Sequence, residues 1–497
     1  SVGVVVMLLF ARWTAPPVKV FAPEAVPLLP LPTSAPPLVP CAKSVPPEML
    51  TVPPLPPLPP PAPAPPLPPV AVTMPPLMIS VPPLPPLPPP MPAPPLPPVA
   101  WTMLLLTITG GEQIIGIFYG NMTICSVEGA HNDYARLMAD EAIDFAASPF
   151  AYTKGRAQGV HWGFQCALEC AGLHGKPFFV ESDVRTCLSR PLSEAMPESA
   201  PHVNRLYDGV LWRGPPDVRG SLGQMIRAFG DAALHGAAMW WFDMLGGWYA
   251  SEPFMEFHKR ACELYPVVST AEPQAAIAVF VDEAAIGCFT ERAVETCSSL
   301  LFRQMSQIGA SGAMYHTYML TDLPQVDPER YRMAILVFPA FMEPETRAAL
   351  AKWRRGGRTV VQTFLPGYYG SGIEAATGFR VHEAPGIRKV SASWHGQAFV
   401  EEPAIPDIRI EPACGDIVLA VTDDGDPAVI MRRHDDYQEV LALVPCMPAG
   451  LVRELVLLSA GHVWSHTGDC ISANSRYVCI HAASDGVKRI YLPRTGR

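Results

Sequence analysis

The sequence predicts an α/β protein with a parallel sheet, then a second, doubly wound α/β unit and a small antiparallel β unit, all behind a disordered proline-rich leader. Three observations carry this. Of the 60 Pro in the 497 residues, 37 lie in residues 1–100. From residue 104 short apolar runs alternate with helical patterns, the signature of βα units and a parallel sheet. From about residue 384 the runs become short and alternating, with turn residues between them, as in antiparallel β structure. The expected boundaries are 1–103, 104–268, 269–383 and 384–497, so a single domain of this length is excluded.

The leader cannot build a core. Proline has no backbone donor and cannot enter a helix interior or a central strand. Only Arg12, Lys19, Glu24, Lys43 and Glu48 are charged among the first 103 residues. Residues 52–74 recur at 81–103 with changes only at Ala62/Met91 and Val72/Trp101. Polyproline II is the expected conformation, which serves either as a spacer or as a ligand for SH3-type grooves. Globular composition begins directly after Met103.

Four βα units follow. The strand candidates are Ile114–Tyr119, Ile143–Ala147, Pro177–Val180 and Ala237–Phe242, and helices are expected near 130–138, 164–173, 220–234 and 254–264. A second α/β pattern starts with the buried strand Ala275–Val281. A long helix over Arg292–Ile308, the strand Met333–Phe338, a helix over Glu343–Arg354 and the strand Thr359–Phe364 complete it. The size is that of a flavodoxin-like unit. No GxGxxG follows its first strand, so no dinucleotide is expected. Ile417–Val421, ending in Asp423-Asp424-Gly425-Asp426, typifies the final antiparallel part.

Charge and cysteine content narrow the function classes. With 36 Lys+Arg against 46 Asp+Glu and no basic stripe, a nucleic-acid partner is not expected. The twelve Cys show no CxxC or CxxC…HxxxH spacing, and Cys166 and Cys170, four apart in an apolar run, read as small core residues. His131, His161, His174 and His235 lack ligand spacing and read as structural. Val2–Phe10 is too short to span a bilayer, and Asn121-Met122-Thr123 fits a glycosylation sequon. None of this assigns a compartment.

Three strand ends carry residues with chemistry. Pro177–Val180 closes on Glu181-Ser182-Asp183, with Arg185 just beyond. The carboxyl end of a parallel strand is where (β/α) barrels place their active sites. On a continuing strand Glu181 and Asp183 would share a face; if the chain turns, one faces the cavity and the other pairs with Arg185. Trp240-Trp241-Phe242-Asp243 is the second signal. Indole faces suit stacking on a pyranose, and the same residues equally suit a barrel interior. Ser148-Pro149-Phe150-Ala151-Tyr152 supplies a third strand-end loop, with a polar tip at Tyr152.

The strings IDFAASPFAY, HGKPFFVESDVRT, HGAAMWWFDMLGGWY, AIAVFVDE, YRMAILVFPAF and LAKWRRGGRTVVQTFLPGYY, in that order, resemble family 42 glycoside hydrolases, the β-galactosidases, over about residues 110–383. The resemblance implies the C-terminal half of a (β/α)₈ barrel, a flavodoxin-like trimerisation domain and a small β-sandwich. It implies retaining hydrolysis of terminal β-galactosides without metal or organic cofactor, in a homo-oligomer, the trimer of that family. Glu181 falls at the nucleophile position, with Asp183 and Arg185 setting its charge and orientation. Trp241 and Asp243 fall at the sugar pocket, with Trp241 stacking on the ring, and Tyr152 is counted among the substrate-binding residues. The chain departs from the family where strands one to four and an Asn-Glu acid/base pair are expected, because the leader stands there. Retaining hydrolysis needs two carboxyl groups about 5 Å apart, and Glu128 is a poor substitute for the absent one. A non-catalytic carbohydrate-binding or oligomer-assembly protein is the alternative, and a proline-rich adaptor a third reading.

Overall fold

A computed structural model describes residues 19–21, 114–120, 132–152, 156–157, 159–195, 212–289, 294–400 and 404–493. They belong to one compact unit, residues 1–24 with 100–497. The proline repeats, Glu128, His131 and the sequon lie outside the described residues. None of the described helices is long and apolar enough to cross a membrane.

In chain order the strands are β1 (Lys19–Phe21), β2 (Gly116–Phe118), β3 (Phe145–Pro149), β4 (Phe178–Ser182), β5 (Ala238–Trp241), β6 (Ile277–Val281), β7 (Tyr315–Met319), β8 (Met333–Val337), β9 (Arg358–Thr363), β10 (Arg380–Lys389), β11 (Ala392–Trp394), β12 (Gln397–Val400), β13 (Ala404–Glu411), β14 (Ile417–Thr422), β15 (Pro427–Arg433), β16 (Tyr437–Ala442), β17 (Cys470–Ala473), β18 (Val478–His481) and β19 (Arg489–Tyr491). β2-β3-β4-β5 form a parallel sheet in sequential order. Its register fixes its two faces. Phe145, Ala147 and Pro149 share a face with Phe179 and Glu181, and Glu181 pairs with Trp240. The Phe145 and Phe179 rings meet edge-on on that face at 5.1 Å. At the edge of the same face Phe118 is 54% exposed. The other face is covered by helices.

The longest of these helices, Val218–Leu234, is started by Asp217, whose carboxylate accepts the Gly220 N–H at 2.7 Å. It buries Met225, Phe229 and Ala233 against Trp248, Tyr249, Phe254 and Phe257. Pro253 opens the next helix, Glu252–Val268, at its first turn, where a missing N–H costs nothing. Met239 and Trp241 of β5 pack into this apolar layer.

The second sheet has nine strands in the order β12-β11-β14-β15-β16-β9-β8-β6-β7. Its parallel part, β7-β6-β8-β9-β16, reads 2-1-3-4-5 in chain order, the flavodoxin-like arrangement. The fifth strand is therefore β16, which lies beyond residue 384. β10–β15 form an excursion between the fourth and fifth strands, and part of it extends the same sheet by antiparallel pairing. The reason β16 does not read as buried parallel strand is Glu439. Its 1%-exposed carboxylate is held by Arg354 at 2.8 and 3.1 Å and by the Gln362 amide at 2.7 Å, so an acid sits where an apolar residue is expected. β7, YHTYM, was equally hidden among polar residues. The expected long helix 292–308 is present from Val294 to Ala310 with a π-turn at Ser299–Arg303.

The last segment returns to the first sheet. The β17–β18 hairpin packs on helix Val218–Leu234, and Asn474 donates to the Val268 carbonyl at 2.8 Å. Helix Leu168–Leu173 packs on both β4 and β7, joining the two sheets. Gly312 turns the chain into β7 with φ +84°, where a Cβ would overlap the Ser465 carbonyl oxygen. Gly312→Ala is expected to cost more than about 1 kcal/mol, read as a lowered urea midpoint with an unchanged slope.

Candidate active site

The carboxyl ends of β3, β4 and β5 are tied together by backbone and side-chain bonds. After β4 the chain turns: Phe242 N–H bonds the Ser182 carbonyl at 2.9 Å, and the Tyr249 hydroxyl donates to the Val184 carbonyl at 2.8 Å. The Thr186 hydroxyl donates to the Trp248 carbonyl. After β3, Ala151 N–H reaches the Gly163 carbonyl at 3.1 Å, and Arg156 bonds the carbonyls of Phe150 at 2.7 Å and Ala151 at 3.2 Å. Three consecutive strand ends thus present their loops to one place.

Asp183 is the hub of that place. It is fully buried, 2.7 Å from Arg156 Nη1 and 2.6 Å from Arg185 Nη1, and it accepts the Tyr152 hydroxyl at 2.9 Å. Burial alone would raise its pKa; the two guanidinium groups and the Tyr152 hydrogen bond outweigh that and hold it below the usual carboxylate range. The cations are fixed by aromatic rings. Arg156 lies 4.0 Å from the Tyr152 centroid, and Arg185 lies between Trp212 and Trp248 at 4.8 and 4.6 Å. Tyr152 stacks on Trp212 at 5.5 Å.

Glu181 stands two residues earlier on the open face. It is half-buried, and among the described residues it makes no hydrogen bond or ion pair. Its pKa is raised to about 7, by burial first and then by the charge of Asp183, with Arg156 and Arg185 pulling the other way. Of the two arrangements open to the Glu181/Asp183 pair, the fold adopts the one in which the chain turns. Asp183 pairs with Arg185, and Glu181 is left facing outward.

The structure separates the other expected site residues. Trp241 lies on the helix side of the sheet, stacked on His258 at 4.9 Å and edge-on to Tyr249 at 5.6 Å and Phe257 at 5.9 Å. The indole in register with Glu181 is that of Trp240. The alternation of a strand, one residue to each side, decides between the two. Tyr152 gives its hydroxyl to Asp183. Asp243 accepts the Trp248 N–H at 2.9 Å with one oxygen, while its buried Oδ1 has no partner. Arg156, Trp212 and Trp248 were not found by sequence reasoning. Arg156 lies in a loop 27 residues from its carboxylate, and nothing local marks it.

No family model matches the sequence, and no curated protein matches it. Solved structures do. The chain is similar to the β-galactosidase from the psychrophilic Marinomonas ef1, at 12% identity and a TM-score of 0.43 over 69% of this chain and 60% of that one. The β-galactosidase from the Antarctic haloarchaeon Halorubrum lacusprofundi gives 16% and 0.42 over 70% and 60%. That from Bacillus circulans sp. alkalophilus gives 14% and 0.40 over 66% and 55%. A GH42 β-galactosidase from G. stearothermophilus is a further neighbour. These four neighbours are β-galactosidases; an exo-β-1,4-mannosidase and an α-L-fucosidase are also among the similar structures. The likeness is one of fold, and this chain spans between about half and three-fifths of the length of the β-galactosidases.

Proposed function

We propose that this chain carries a retaining glycoside-hydrolase site of the β-galactosidase type, with Glu181 as nucleophile. The observation that supports it is Glu181 itself. It is an unpaired, half-buried carboxyl group at the carboxyl end of a parallel strand, beside Trp240 and above a buried Asp183–Arg156–Arg185 cluster. The ionised carboxylate attacks the anomeric carbon, and the leaving oxygen departs with the bonding electron pair, as the anion when it is acidic enough and otherwise taking a proton from water. Water then cleaves the glycosyl ester. Trp240 takes the stacking role expected of Trp241, and Asp243 Oδ1 accepts a sugar hydroxyl. Arg185 and Arg156 do not touch the sugar; they keep Asp183 ionised, and their charge favours the ionised form of Glu181. The chemistry requires no metal or organic cofactor.

The test is intact mass after incubation with a 2-fluoro-galactoside bearing a strongly acidic leaving group, which departs without protonation. A stable adduct on the peptide containing Glu181 is the expected result. A folded sample without an adduct, or one modified elsewhere, overturns the reading.

A second reading, a non-catalytic carbohydrate-binding or assembly protein, draws on one observation. The charges that act on Glu181 are those of Asp183, Arg156 and Arg185, and Asp183, held ionised between two arginines, has no proton to give. Under this reading galactose binds without turnover. Under either reading the flavodoxin-like sheet is the proposed oligomer interface, and sedimentation as a monomer counts against that part.

A further inference from the structure

Away from Glu181, three side chains from three elements converge where the two sheets meet. Glu169 stands in the first turn of helix Leu168–Leu173, His235 caps the end of helix Val218–Leu234, and His316 lies on β7. One donor atom of each lies within 4.8 Å of the other two. His316 is 2% exposed; its Nδ1 faces the Tyr331 hydroxyl at 2.9 Å, and its Nε2 has no partner. A buried ring nitrogen without a partner is costly unless something absent fills it. Glu169 meets His235 Nδ1 at 2.7 Å and accepts the Thr317 N–H and hydroxyl at 2.8 and 3.0 Å. This is the way a carboxylate orients an imidazole whose other nitrogen binds a metal.

We propose that Glu169, His235 and His316 bind one divalent transition-metal ion of the zinc class, clamping the helices of the four-stranded sheet to the nine-stranded sheet. Two imidazoles and a carboxylate are a donor set zinc accepts, with water in the fourth position. A cavity of about 50 Å³ borders Glu169 and His235, with Asp231 and Tyr315 in its wall, room enough for that water. Donor atoms around a tetrahedral zinc with bonds of ~2.1 Å lie about 3.4 Å apart, so the side chains close by roughly an ångström. The neighbouring set Cys170, His174 and Asp322 makes a poorer site. His174 Nε2 already meets Asp322 Oδ1 at 2.9 Å, and that set has no buried, unpartnered ring nitrogen to match His316 Nε2.

The experiment uses the untagged full chain, stripped with a chelator and titrated with Zn²⁺ and, separately, Co²⁺. One equivalent of Zn²⁺ retained after desalting is expected, together with a higher unfolding midpoint. The Co²⁺ spectrum is expected to show d–d bands without thiolate charge transfer. His316→Ala and His235→Asn should each weaken binding by at least about 10-fold, and Cys170→Ser should leave it unchanged. A folded chain that retains no metal overturns the proposal, and so does binding untouched by both His variants. Thiolate charge transfer, or loss of binding in Cys170→Ser, assigns the metal to cysteine and overturns it equally. Should His316→Ala fail to fold, the wild-type Co²⁺ spectrum and His235→Asn still decide.

Discussion

Asp183→Asn is expected to destabilise the chain by about 3–5 kcal/mol, because it strands two buried cations. Arg156 and Arg185 are 8% and 7% exposed, and both spend their guanidinium charge on this one carboxylate. The replacement keeps the shape and an acceptor for Tyr152 but removes the charge that offsets the desolvation of both arginines. Urea denaturation at neutral pH reads the loss as a lower midpoint. A shift below about 1 kcal/mol would mean that the arginines find water, and that the cluster is not the anchor of the three strand ends. A second readout separates this from a general packing defect. Removing the negative charge leaves the two arginines acting on Glu181, so the Glu181 pKa should fall from about 7 towards the ordinary range.

Glu181→Gln is expected to abolish the covalent adduct while leaving the fold intact, and to change how stability depends on pH. The folded pKa of Glu181, about 7, lies above the usual glutamate value near 4.3. The folded chain therefore binds the proton more tightly than the unfolded chain. The stabilising contribution is fully present below about pH 4.3 and is lost as pH rises through about 7. Glutamine removes that slope, so the variant gains on the parent chain above pH 7. Adduct formation by the parent chain runs the other way, since attack needs the ionised form: its rate should rise about tenfold per pH unit below 7 and level off above it. A rate that is flat from pH 5 to 8 would mean that an ordinary, solvated carboxyl is reacting, and Glu181 would lose its assigned role.

Together these two variants separate holding from reacting. Asp183 has its charge neutralised on both sides and is buried, so its replacement is felt first in stability. Glu181 has no structural partner, so its replacement is felt in chemistry and in the pH dependence of stability. A carboxyl group free of structural partners beside one saturated with them is the pattern expected where a strand end has been set aside for a ligand.

Much of this was legible in the residues. The four strands of the first sheet and the helices between them follow from apolar runs alternating with helical periodicity. Glu181 and Asp183 at a strand end follow from where the run Phe178–Val180 stops. The same reading could not separate Trp240 from Trp241, because a dipeptide offers one indole to each face and only the register with Glu181 says which is which. It also could not find β7 or β16 as buried strands. His316, Thr317 and Glu439 are polar, and they are admissible inside only because Glu169, Tyr331, Arg354 and Gln362 arrive from elsewhere in the chain. Local pattern determined which segments bury apolar surface, since that depends on neighbours a few residues away. Which buried polar groups are satisfied depends on partners dozens to hundreds of residues distant, as with Arg156 and Asp183 or Glu169 and Thr317. Only the tertiary structure decides that, because a charge or a ring nitrogen leaves water only when its partner is already in place.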